Sequence, residues 1–199
     1  MQILYAATSF WAGTKLPVVA EIYTHARRLT EQHNLRIWLD QIIDIEQNVL
    51  TLMGQQDAAV DNIVSNTDKL KANPHASMTR YFQKMCIRLL FREYEQTKAL
   101  AEKYFSFNLH TWSLLYIHTA HALYGGLTAF WVYRETKDPG WAARGGKAKN
   151  AMKKWAESSQ HNFQHKAYLL EAEEAYCNND VASATSFYEK AVSMAKQHR

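Results

Sequence analysis

The sequence predicts an all-α chain built from antiparallel helix pairs stacked as an α-solenoid, and three observations predict it. Apolar residues recur at three- and four-residue steps in one segment after another, the period of a single helix face. Only 7 Gly and 3 Pro occur in 199 residues, too few for the many turns of a β-rich fold. The periodic segments are separated by short polar turns, which bring successive helices back against each other. With 47% apolar and 13% aromatic residues, the chain can bury a sizeable core.

The elements follow in order. MQILYAATSFWAG starts in apolar helical residues, lacks a basic leader region, and is interrupted by Thr, Ser and Gly, which argues against a signal peptide. From Leu16 to Gln32, Val19, Ile22, Tyr23, Ala26 and Leu29 form one stripe, with Pro17 in the first turn, where a missing N–H costs nothing. Leu35 to Met53 repeats the pattern through Trp38, Leu39, Ile42, Ile45, Val49 and Leu52, after a turn near His33-Asn34, and Gly54 stops it. Residues 55–75 are more polar and read as a variable loop or weak helix ending at Asn73-Pro74. Ser77 is the expected N-cap of a helix carrying Tyr81, Phe82, Met85, Leu89 and Leu90, followed by a turn at Arg92-Glu93 and a helix from Tyr94 to Tyr104.

Phe105 to Tyr133 contains no Asp, Glu, Lys or Arg, so the central helix around Leu109 to Arg134 must be buried on most of its circumference, in protein or in lipid. The spanning alternative places one membrane helix around 109–133. His118, His121 and Asn108 weigh against it, because isolated polar groups are costly at mid-bilayer. Asp138-Pro139-Gly140 breaks the chain and Gly145-Gly146 loosens it again, so 137–147 reads as a linker before a basic amphipathic helix through Ala151, Met152 and Trp155. A last pair, His161 to Tyr176 and Val181 to His198, turns at Asn178-Asn179-Asp180.

A helix, a polar turn and a second helix rich in Ala and Tyr recur at Gly13, Arg92 and Asn179, at intervals roughly double a single tetratricopeptide repeat. The last unit is clearest. Ala184, Tyr188 and Ala191 stand four and three residues apart, as in the second helix of such a repeat, and Tyr168 and Ala172 match positions on its first helix. Ala172 and Ala184 would let two backbones approach while Tyr188 fills the gap to the neighbouring pair. Ala184→Leu should therefore overpack the joint and lower stability by about 1–3 kcal/mol in a thermal melt.

Lys154-Trp155-Ala156-Glu157-Ser158, the run from Asn162 to Glu173 (NFQHKAYLLEAE), Asn34-Leu35-Arg36-Ile37-Trp38-Leu39 and the charge-free Tyr116 to Leu127 carry a resemblance. Together they resemble the tetratricopeptide-like helical region of large multidomain signalling proteins. Those proteins join a serine/threonine-kinase-like domain, a P-loop ATPase, this helical region, a GAF domain and often a sensor histidine kinase. The resemblance spans nearly the whole chain in order and departs at Gln55 to Pro74 and Asp138 to Lys147. It implies that residues 1–199 form one helical-repeat segment of a longer array, and that enzymatic activity belongs to domains outside it.

Tests for chemistry return no catalytic centre. Gly140 to Lys147 has the glycine separation of a phosphate-binding loop, but Gly146 stands where Lys is needed, Lys147 one place later is followed by Ala148 and not by a hydroxyl, and no strand precedes it. His161 and His165, and His118 and His121, have spacings that can share a helix face, yet neither pair has a third ligand in a recognised arrangement. Glu171, Glu173 and Glu174 read as a solvated face or inter-helix salt bridges. Arg144, Lys147, Lys149, Lys153 and Lys154 form a basic run with few aromatics for base stacking. No cofactor, metal or catalytic residue is expected.

Charge excludes further classes. With 23 basic and 19 acidic residues the net charge is +4, a balance that does not point to nucleic acid. Cys86 and Cys177 have no CxxC or Cys/His metal spacing and read as reduced cytosolic thiols. The expected partners are proteins, either neighbouring domains of a parent signalling protein or separate chains, in the cytoplasm. Trp131, Trp141 and Trp155 are contact candidates if they face solvent.

Overall fold

The computed structural model describes residues 2–55, 74–107 and 115–197. The expected loop or weak helix at 55–75 lies almost wholly outside the described residues, as do 109–114 of the charge-free stretch. Among the described residues every regular element is an α-helix: α1 (Gln2–Trp11), α2 (Leu16–Gln32), α3 (Arg36–Leu52), α4 (Pro74–Leu90), α5 (Tyr94–Phe105), α6 (Leu115–Thr136), α7 (Pro139–Ser158), α8 (Gln160–Cys177) and α9 (Val181–Gln197). Where the sequence suggests one segment over 1–199, the chain divides into two compact units, Met1–Trp112 and Ser113–Arg199.

One helix-stop device recurs along the chain. Gly13, Asn34, Gly54, Arg92 and Asn179 each lie two residues past a helix end with positive φ. At Asn34 the Leu35 N–H donates to the Thr30 carbonyl at 2.9 Å and the Asn34 N–H donates to Glu31 at 3.1 Å. The same two bonds recur around Gly13, Gly54, Arg92 and Asn179. This is the Schellman arrangement, in which a left-handed residue lets the chain satisfy the last helical carbonyls and reverse. Gly and Asn adopt that conformation easily, whereas Arg92, at φ 58°, carries a Cβ penalty. Arg92→Gly should accordingly raise stability by about 0.5–1 kcal/mol in chemical denaturation.

In the first unit each helix packs on the next, α1 on α2, α2 on α3, α3 on α4 and α4 on α5. The α2–α3 seam is apolar, with Val19, Tyr23, Ala26, Ile42 and Val49 buried and Phe10, Leu16 and Ile45 against them. The α4–α5 seam is aromatic, with Phe82 and Tyr104 both buried and their ring centroids 5.4 Å apart. Two buried carboxylates of this interior are paired. Arg80 Nε donates to the buried Asp44 carboxylate at 2.6 Å, and Thr24 Oγ1 donates to the buried Glu46 at 2.8 Å, as buried charge requires. Two expectations change here. Ser77, the expected N-cap, lies inside α4. Leu90, counted on the apolar stripe, is 53% exposed at the helix end.

In the second unit α6 packs on α7, α8 packs on both α6 and α7, and α9 packs on α8. The core gathers Phe130 from α6, Met152 and Ala156 from α7, and Ala167, Leu170 and Cys177 from α8. Protein surrounds α6: Ala120, His121, Thr128, Ala129, Phe130 and Val132 are buried on different sides of it. No helix among the described residues is long and apolar enough to cross a membrane.

The expected linker at 137–147 is corrected. Only Lys137 and Asp138 lie between the helices; Asp138 caps α7 by accepting the Gly140 N–H at 2.8 Å, and Pro139 opens the first turn. Gly145 does not loosen the helix but lets it dock. A Cβ there would lie 2.7 Å from the Phe130 ring, and one on Gly126 of α6 would lie 2.9 Å from the Ala148 Cβ. The two glycines remove the side chains that would otherwise hold α6 and α7 apart.

Candidate functional site

The residues singled out by repeat spacing fall on α8 and α9. Ala172 and Ala184 are buried on these adjoining helices, as is Ala191. Tyr168 is half-buried and its ring stacks on Phe187 of α9 at 6.2 Å, with the Lys190 ammonium 5.2 Å from the Phe187 centroid. Tyr188 is half-buried and its hydroxyl donates to Glu173 at 2.7 Å.

Glu173 is the joint of this region, because one carboxylate serves three helices. It accepts from Tyr188 on α9 and from the Arg134 guanidinium on α6. Arg134 in turn lies over the Tyr176 ring at 5.0 Å. Burial works against the Arg134 charge, but Glu173 outweighs it and holds the guanidinium protonated. Burial also pushes the Tyr188 phenol up, and the neighbouring carboxylate pushes it further, so Tyr188 stays a donor. Cys177 donates weakly to the Phe130 carbonyl at 3.4 Å, and burial raises its thiol pKa despite the nearby Arg134. Glu173→Gln keeps the shape but halves the charge assistance, and should cost about 1 kcal/mol in a denaturant melt.

The two flanking glutamates bolt α8 to α7. Lys149 Nζ donates to Glu174 at 2.6 Å and Lys153 Nζ to Glu171 at 2.8 Å. With Asp180, Ser183 and Phe187 these four residues line an open groove of about 380 Å³ between α7, α8 and α9. Glu171, Glu173 and Glu174 thus make separate inter-helix contacts and do not converge as an acid/base set.

The other candidate groups are dispersed. His121 is buried on α6, His118 and His165 are half-buried and His161 is exposed. Among the described residues no three His, Cys, Asp or Glu side chains are placed to share a metal ion. Gly140 to Lys147 is helical, so its backbone N–H groups are turned along the α7 axis and do not form a phosphate cradle. The basic run splits: Lys149 and Lys153 face α8, while Arg144, Lys147 and Lys154 are exposed and the Arg144 guanidinium covers Trp141 at 4.7 Å. Trp141 is itself buried, and Trp131 and Trp155 are half-buried, so Trp141 is a core residue and not a contact surface. Cys86 and Cys177 are both buried, free thiols.

Spacing alone missed the Arg134 to Glu173 contact, although one signal was present. Arg134 is the first charge after a long charge-free run, and a cation at the end of a buried helix needs an anion within reach. No family model, curated protein or solved structure matches this chain.

Proposed function

We propose that this chain is a non-catalytic, tetratricopeptide-like scaffold or interaction segment of a cytosolic signal-transduction kinase or ATPase, working through interdomain or protein–protein contacts. The observation that carries this reading is the packing order of the second unit. There α8 lies against both members of the preceding pair while α9 lies against α8, the relation expected when antiparallel pairs stack. The α6–α7 pair, with helices of 22 and 20 residues, is longer than a standard repeat of about 34 residues, so the array would be a long-helix variant. In such an array side chains such as Glu173 and Lys149 join neighbouring helices, so displacement of one pair is passed to the next. The role is to hold and orient a neighbouring domain, with the parent's chemistry residing elsewhere.

The coding sequence flanking these residues tests the reading, together with binding in trans. The expected result is a P-loop ATPase or histidine-kinase core in the same reading frame that binds residues 1–199 with micromolar or tighter affinity by calorimetry. A frame with no such domain, or an adjoining domain that does not bind, would overturn it.

A further inference from the structure

We draw no further inference here: the strongest candidate, the exposed seam of Val181, Thr185 and Val192 along α9, is an unpartnered helix face, and nothing in the structure shows what covers it.

Discussion

Phe130→Ala is expected to lower the stability of the protein by about 3–5 kcal/mol, the largest loss from any single substitution considered. The ring is 2% exposed and belongs to the core that also contains Met152, Ala156, Ala167 and Leu170. It therefore touches the helices that define the second unit, and truncation removes apolar burial while leaving a cavity. The surroundings have little freedom to collapse, because α7 already sits close to the ring at Gly145 and α6 sits close to α7 at Gly126. Urea denaturation followed by circular dichroism measures the effect. A loss below about 1 kcal/mol, typical of a partly exposed side chain, would place Phe130 outside the core.

The second large effect is a difference in sign between adjacent residues. Gly145→Ala should destabilise by about 1–3 kcal/mol, because its new methyl would meet a buried aromatic ring that cannot move aside. Gly146→Ala should stabilise by about 0.5–1 kcal/mol, since a Cβ there meets nothing within 4 Å and alanine is the better helix former. The two substitutions make the same chemical change one residue apart in one helix. A linker would respond weakly and alike at both positions. Only a helix seated on Phe130 separates them, and combining Gly145→Ala with Phe130→Leu should recover part of the loss, since the two residues are in contact.

The helices and most of their turns were legible because they depend on local information. The stripes Val19, Tyr23, Ala26 and Ile42, Val49 mark faces that are buried. Asn34, Gly54 and Asn179 announce the left-handed residue that the Schellman turns require. Arg92 was placed at a turn by its position between two stripes, since its residue type gives no such signal.

Readings that failed depended on distant partners. Gly145-Gly146 within a sequence looks like a breaker, and only the Phe130 ring of another helix explains why one of the pair is glycine. Trp141 is a contact candidate only if it faces solvent, and tertiary packing, which the sequence does not display, buries it. The site shows the same division. Ala172, Ala184 and Tyr188 could be selected by spacing, whereas the meeting of Arg134, Glu173 and Tyr188 joins three helices and no local pattern encodes it.

The most direct measurement is backbone amide hydrogen exchange over residues 139–158 of the intact chain. A continuous α7 docked on α6 predicts slow exchange from Arg144 through Met152, approaching that of Ala129 to Val132 in the core of α6. Exchange at the rate of an unstructured chain through Arg144 to Ala148, with protection beginning only near Ala151, would contradict the account.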